Sequence, residues 1–197
     1  MIVPGELQVS HIGLFVSDLS SMEEFYREVL GFIVTDRGSV GEAEVVFLSQ
    51  SPEDHHQIVF ATGRPENLGF NVVNQLSLRA MSLEALRRLS TTLTARRVQN
   101  VESVFHGPTI SVYFPDPEGT RIEVFIDTPW YVNQPARLPV DLTTGSDEEL
   151  MEELARVAAS LPGFISAAEW REAFAAKLAD AMADRRSEGS GERRDQA

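Results

Sequence analysis

The sequence predicts an α+β fold of two tandem βαβββ modules that form a half-open β-cup, followed by C-terminal helices. A pattern of strand, polar punctuation and amphipathic helix at 11–31 recurs at 75–95, an offset of 75 − 11 = 64 positions. After each helix the spacing of apolar residues changes from about 3.6 to 2, which is typical of strands. The turn PDPEGT at 115–120 separates two such strands, and its proline and glycine favour a hairpin.

The first module is predicted to cover residues 1–66. Its first strand is HIGLFV, and an N-cap oxygen from the segment 17–20 is expected to begin a helix that ends at Gly31. Three strands are expected to follow, in the segments FIVTDRG, EAEVVFLS and HHQIVFATG.

The second module is predicted to cover residues 67–130. Its first strand lies in NQLSLRA, and Ser82 is the expected cap of a helix with a buried stripe of Leu83, Leu86 and Leu89. The strands that follow are expected in VESVFHG, ISVYF and RIEVFID.

Residues 131–186 are predicted to form a strap and two C-terminal helices, and residues 187–197 a disordered tail. Proline and aromatic residues around 128–142 favour an extended strap, and SDEELMEELARVAASL has the acidic first turn of a capped helix. For the last helix, packing on its own domain or on a second copy is favoured over binding of another partner.

Composition excludes several classes of function. A net charge of −13 without a basic stripe disfavours nucleic acid and anionic membranes as partners. The absence of cysteine excludes a disulfide framework, a thiolate zinc site and a cysteine nucleophile. No apolar run reaches the roughly 20 residues of a membrane span, and no signal-peptide pattern begins the sequence, so we expect a cytoplasmic protein.

Two strand residues are candidate metal ligands. Alternation places His11 with Gly13 and Phe15 on the open face of the first strand, because the intervening apolar residues must face the helix. Glu123 alternates with apolar neighbours in the last strand of the second module, and a carboxylate is costly to bury there without a cation. Each residue alone is also compatible with an exposed strand position, but together the pair favours a metal site.

The segments HIGLFVSDL, NQLSLRA and YFPDPEGTRIEVF resemble the vicinal-oxygen-chelate superfamily over roughly residues 8–130. That superfamily includes glyoxalase I, type I extradiol dioxygenases, and fosfomycin- and bleomycin-resistance proteins. The segment RIEVFIDTPWYV is most similar to the extradiol type. The resemblance implies a divalent metal held by His11, Gln75 and Glu123, with Gln75 where the dioxygenases have a second histidine. Fe²⁺ or Mn²⁺ is the implied ion, with Zn²⁺ or Ni²⁺ as alternatives.

The resemblance also implies two catalytic residues. His106 matches the region of a histidine that acts as acid and base, a task suited to an imidazole near neutral pH. Tyr113 precedes Glu123 by ten positions, as the corresponding tyrosine does in the dioxygenases.

Four further residues are weighed from their positions alone. Arg79 shares a face with Gln75 and is a candidate for binding an anionic substrate, with a structural ion pair as the alternative. Trp130 is a candidate substrate contact at the mouth of the cup, or a packing residue. His55 and His56 are expected on a strand, pointing to opposite faces and therefore unable to share a metal.

The function predicted from these residues is that of a divalent-metal-dependent oxidoreductase, extradiol-dioxygenase-like, acting on a small molecule with vicinal oxygens. The alternatives are a glyoxalase-type lyase or isomerase, and a metal-free small-molecule binding protein of the resistance type, which Gln75 favours. A non-catalytic scaffold is disfavoured by the polar residues of the cup. Because related proteins often pair modules between chains, the resemblance implies a homodimer; the alternative is that one chain, which has two modules, closes its own cup.

Overall fold

The computed structural model describes residues 6–66 and 69–191 of the chain. The first module forms one sheet, with strand order β1-β4-β3-β2 and one helix against it. Its elements are β1 (Ile12–Val16), α1 (Leu19–Glu28), β2 (Ile33–Val40), β3 (Ala43–Ser49) and β4 (Ile58–Thr62).

The second module forms another sheet. Its elements are β5 (Leu76–Arg79), α2 (Leu83–Ala95), β6 (Glu102–Phe105), β7 (Thr109–Pro115) and β8 (Arg121–Asp127). The C-terminal part adds β9 (Trp130–Tyr131), β10 (Leu138–Pro139), α3 (Asp147–Ser160), β11 (Ile165–Ser166) and α4 (Ala167–Gly191). The second sheet has the order β10-β6-β7-β8-β5, and β9 pairs with β11. The predicted α+β class with C-terminal helices is confirmed.

The internal repeat reappears in the strand register. Ile12 is paired in parallel with Ile58 in the first sheet, and Leu76 with Ile122 in the second. The offsets are 76 − 12 = 64 and 122 − 58 = 64, the value found in the sequence. In each module the first strand therefore lies beside the last one, with the same relative register.

The helices begin and pack as their sequences indicate. The side chain of Asp18 accepts a hydrogen bond from the Ser21 amide at the start of α1, which buries Met22 and Tyr26. The hydroxyl of Ser82 does the same for α2. The buried stripe of α2 is formed by Leu83, Leu86 and Leu93, whereas Leu89 is only partly buried.

The predicted hairpin turn joins the two modules. The carboxylate of Glu118 accepts the backbone N–H groups of Ser17 and Asp18 at 2.6 and 2.8 Å. It also pairs with Arg64 at 2.7 Å. These groups lie at the N-terminus of α1, where unpaired amides and the helix dipole favour an anion.

The C-terminal segment runs along the edge of the second sheet. Its strand β10 pairs with β6, and Arg87 of α2 donates to the carbonyls of Leu142 and Thr144. Helix α3 begins with a capping box formed by Ser146 and Glu149. These contacts hold residues 130–146 against the second module.

The last helix lies largely exposed. It contacts the rest of the chain near its start, where the Trp170 ring stacks between Tyr131 and Phe174, each at 5.4 Å between centroids. It continues to Gly191, beyond the predicted start of disorder at 187, and the rest of that tail, 192–197, lies outside the described residues. Within the described ranges, no helix combines the length and apolar character needed to cross a bilayer.

Gly107 allows a close approach between the β6–β7 loop and the C-terminal segment. Its φ is +91°, and an added Cβ would lie 2.2 Å from Cγ2 of Val132. We expect Gly107→Ala to lower the free energy of unfolding by about 2–4 kcal/mol, because backbone strain and steric overlap add. Urea denaturation followed by circular dichroism measures this loss.

The matched control is Gly38→Ala in β2, where nothing lies within 4 Å of an added Cβ. That variant should stay within about 0.5 kcal/mol of the wild type. Equal effects of the two substitutions would contradict the packing argument.

Candidate functional site

A buried carboxylate forms the centre of the second sheet's open face. Glu123 is 8% exposed, and its Oε1 accepts hydrogen bonds from the hydroxyls of Ser111 at 2.8 Å and Tyr113 at 2.6 Å. Its Oε2 accepts from the Ser77 hydroxyl at 2.5 Å and the Gln75 amide nitrogen at 2.9 Å. Protein donors thus occupy the roughly four lone-pair positions of a carboxylate.

Strand register brings these groups together. In β8, Ile122 and Val124 point into the core, so Glu123 points to the other face. Glu123 is paired with Ser77 of β5 on one side and with Tyr113 of β7 on the other. The donors therefore come from β5 and the residue before it on one side of β8, and from β7 on the other.

His106 extends this network to the C-terminal segment. Its Nε2 lies 2.9 Å from the Tyr113 hydroxyl, and its Nδ1 donates to the carbonyl of Ala136 at 2.6 Å. His106 follows β6 directly, and its backbone N–H donates to the carbonyl of Thr109. The imidazole is thus held at both nitrogens.

The network sets the protonation of two groups. Burial raises the pKa of Glu123, but hydrogen bonds from Ser77, Tyr113 and Ser111 and the charge of His106 outweigh it, so the pKa lies below its ordinary value. Burial and the hydrogen bond to Glu123 raise the pKa of Tyr113 to about 12. At neutral pH Glu123 is therefore a carboxylate and Tyr113 a neutral phenol.

The two predicted substrate contacts have structural partners. Arg79 forms an ion pair with Asp127, and its guanidinium carbon lies 4.8 Å from the centre of the Phe125 ring. Trp130 is partly buried, with its ring 6.3 Å from that of Phe105. Roles for Arg79 and Trp130 in substrate binding stay predictions.

His11 lies apart from the hydrogen-bond network of Glu123. It precedes β1 in the first sheet, and its ring contacts that of His56 at 4.4 Å between centroids. Among the described residues, no hydrogen bond joins His11 to Gln75 or Glu123, and no three or more histidine and acidic side chains are arranged to hold a metal. The three-ligand site stays a prediction.

The predicted placement of His55 and His56 on a strand is wrong, although both lie at the surface. Strand β4 begins only at Ile58, so both residues lie in the preceding loop and strand alternation does not apply to them. Their Nδ1 atoms are 3.0 Å apart, and both rings contact Phe47.

Sequence reasoning missed Ser77 and Ser111 in this network. The signal was available: Ser77 is two positions after Gln75, and Ser111 two positions before Tyr113, so alternation puts each serine on the open face. Serine in a strand is common enough that only the register reveals which carboxylate it serves.

The sequence and the fold are similar to those of known proteins. A family model described as "Glyoxalase/Bleomycin resistance protein/Dioxygenase superfamily" matches residues 8–124, more than half of the chain. No curated protein matches the sequence significantly.

Solved structures share the fold at low identity. A glyoxylase/bleomycin resistance protein/dioxygenase domain from Frankia sp. EAN1pec is 22% identical, with a TM-score of 0.54 over 62% of this chain and 93% of that one. A lactoylglutathione lyase from Agrobacterium tumefaciens is 21% identical, with a TM-score of 0.47 over 62% and 95%. The fosfomycin resistance protein FosX from Listeria monocytogenes is 19% identical, with a TM-score of 0.49 over 62% and 94%. At 22% identity, the similarity to the Frankia domain concerns the fold alone.

The lowered pKa of Glu123 predicts a pH dependence of stability. The folded state binds this proton more weakly than the unfolded chain, whose carboxyl pKa is near 4.5. The stabilisation is therefore present above that value and is lost as the pH falls through the lower folded pKa. We expect Glu123→Gln to remove this contribution, so that its urea midpoint falls less steeply than that of the wild type between about pH 6 and about pH 3.

The control is Glu152→Gln, which removes an exposed carboxylate from α3. Since other carboxylates also titrate here, the informative quantity is the difference between each variant and the wild type. Parallel curves for wild type and Glu123→Gln would show that Glu123 is not held as a carboxylate by the fold.

Proposed function

Because the chain belongs to the glyoxalase/bleomycin resistance protein/dioxygenase superfamily, we propose that it is an enzyme acting on a small molecule with adjacent oxygen atoms. The molecule would lie on the open face of the second sheet, where Glu123 exchanges protons with it and Tyr113 connects Glu123 to His106. The observation that carries this proposal is the continuous hydrogen-bonded chain of these three residues, with links of 2.6 and 2.9 Å.

The hydrogen-bond donors among His106, Tyr113 and Glu123 define the direction in which a proton moves. A carbonyl can only accept, so Nδ1 of His106 carries a hydrogen toward Ala136. The Tyr113 hydroxyl donates to Glu123, so Nε2 of His106 in turn donates to Tyr113. When Tyr113 passes its proton to Glu123 and takes one from Nε2 of His106, one proton has moved from His106 to Glu123 and Tyr113 is unchanged.

The hydrogen-bonded network of Glu123 is closest to solvent at β5. Ser77 is exposed and Gln75 half-buried, whereas Ser111 and Tyr113 are buried. A bound molecule therefore reaches Glu123 past Ser77 and Gln75. There Gln75 or Ser77 releases one oxygen of Glu123 to the molecule, so that Glu123 accepts a proton as a base and returns one as an acid with His106 as its source.

The divalent metal predicted from the resemblance does not fit this arrangement of one chain. Gln75 presents its amide nitrogen to Glu123, hydroxyls take the remaining carboxylate positions, and the ring contact of His11 is with His56. A metal would require Gln75 to turn its oxygen inward and the hydroxyls to release Glu123. The proton transfer between His106, Tyr113 and Glu123 runs through side chains alone.

A metal-dependent extradiol-type oxidoreductase, or a glyoxalase-type lyase, is the second candidate. The adjacency of two of the three predicted ligands, Gln75 and Glu123, favours it. The third ligand would then have to come from the His11 of a second copy. Phe15, on the same face as His11, is 65% exposed, and a homodimer that covered this face would bury it.

Metal content distinguishes the two candidates. We expect protein purified without chelator, and protein loaded anaerobically with Fe²⁺, Mn²⁺ or Zn²⁺, to retain well under one equivalent after desalting. The physical reason is that protein donors already satisfy Glu123. Elemental analysis of wild type, His11→Ala and Gln75→Ala measures this.

About one equivalent of metal, lost in both variants, would establish the second candidate and overturn the first. Metal that persists in both variants would lie at some other site. Sedimentation of the loaded protein would show whether a dimer accompanies binding.

Catalysis by Glu123 is tested by substitution. In a screen of catechols and α-hydroxythioesters with the wild type, we expect Glu123→Gln to lower kcat/KM of any substrate found by about 10²–10⁴, the usual contribution of general acid–base catalysis. We expect Tyr113→Phe to reduce the rate less, because Glu123 remains but loses its link to His106.

The control is Asp127→Asn, which changes another carboxylate of β8 outside this network. A Glu123→Gln variant that retains the wild-type rate would contradict the proposed role. A screen in which ligands bind but none reacts would favour the metal-free binding protein.

A further inference from the structure

Arg121 differs from the other cations of the described side chains. Seven arginines form ion pairs with carboxylates: Arg27, Arg37, Arg64, Arg79, Arg87, Arg88 and Arg137. The other described cations outside ion pairs are exposed, namely Arg96, Arg97, Arg156, Arg171 and Lys177, whereas Arg121 is half-buried. Because a buried charge is costly unless it is paired, a half-buried arginine without a carboxylate in so acidic a chain calls for an anion.

Arg121 lines a cleft of about 590 Å³ beside β7 and β8. Its guanidinium carbon lies 4.3 Å from the centre of the Tyr113 ring, and that of Arg137 lies 5.2 Å from it. Arg137 pairs with Glu102, so the charge of Arg121 is the uncompensated one in the cleft. The volume suits a small ligand, since such sites commonly measure about 300–1,000 Å³.

The cleft adjoins the network of Glu123 through one side chain. The ring of Tyr113 lines the cleft, while its hydroxyl donates to Glu123. Arg121 also precedes Glu123 by two positions in β8, so alternation puts both on the open face. Phe114 and Pro115 add apolar lining beside these polar groups.

We infer that this cleft binds a small organic acid, with the ligand's carboxylate or phosphate group on the guanidinium of Arg121. The planar fork of arginine matches the oxygen pairs of both groups, and the apolar lining suits an organic body. The inference rests on the proposed function only for the chemistry at Glu123; anion binding by Arg121 stands without it. If Arg121 merely packs on Tyr113, the cleft has no preference for anions.

The test compares ligands that differ in charge. Isothermal titration of the full chain with benzoate, phenyl phosphate and the neutral benzamide measures the preference. We expect at least one anion to bind about tenfold or more tightly than benzamide. Arg121→Gln should remove this difference and leave the affinity for benzamide unchanged. The tighter of the two anions identifies the acidic group.

Two variants serve as controls. Arg156→Gln removes an exposed positive charge from α3 and should leave all affinities unchanged, which separates a local contact from net charge. Arg121→Lys keeps the positive charge but lacks the planar guanidinium, so it should retain part of the preference for anions over benzamide. It replaces Arg121→Gln in the test if that variant does not fold.

Equal binding of anions and benzamide, no binding of either anion, or an undiminished preference in Arg121→Gln would overturn the inference. The proposed function fails separately. If Glu123→Gln retained turnover while anion binding still depended on Arg121, the proton-transfer role would be wrong and the anion site correct.

Discussion

The burial of one carboxylate governs the arrangement of the second module. Strand β8 must direct Ile122 and Val124 into the core, and alternation then forces Glu123 onto the opposite face. An ionised group that is 8% exposed is stable only when hydrogen bonds replace its hydration. Two adjacent strands supply these bonds, so β5 and β7 are tied to β8 by side chains as well as by backbone.

The same carboxylate depends on a part of the chain that the family match does not reach. The match ends at residue 124, whereas the carbonyl that orients His106 belongs to Ala136. The C-terminal segment that carries Ala136 is held by β10 and by Arg87, and it approaches the β6–β7 loop closely because residue 107 is a glycine. The orientation of His106 is thus a property of this chain's own C-terminal segment.

Much of this could be predicted from the sequence, because alternation and a repeat offset of 64 are local patterns. They correctly put Glu123 and Tyr113 on one face and gave the spacing of the two modules, which the strand register repeats. The interaction of Ala136 with His106 had no such signal, since it joins a backbone carbonyl to a side chain 30 positions away. The strand placement of His55 and His56 was wrong because a boundary error of three residues puts loop positions on a strand.

Gln75 stands where the resemblance to the extradiol dioxygenases implies a histidine, and its hydrogen bonds explain why a glutamine suits this network. The Gln75 amide nitrogen lies 2.9 Å from Glu123 and 3.0 Å from the Ser77 hydroxyl oxygen, and it carries two hydrogens, one for each. An imidazole nitrogen carries at most one hydrogen, so histidine would leave one of these acceptors unpaired. Ser77 is then free to donate its own hydrogen to Glu123. Glutamine thus completes the hydrogen bonding of the carboxylate with donors alone, an arrangement that a histidine at this position would leave incomplete.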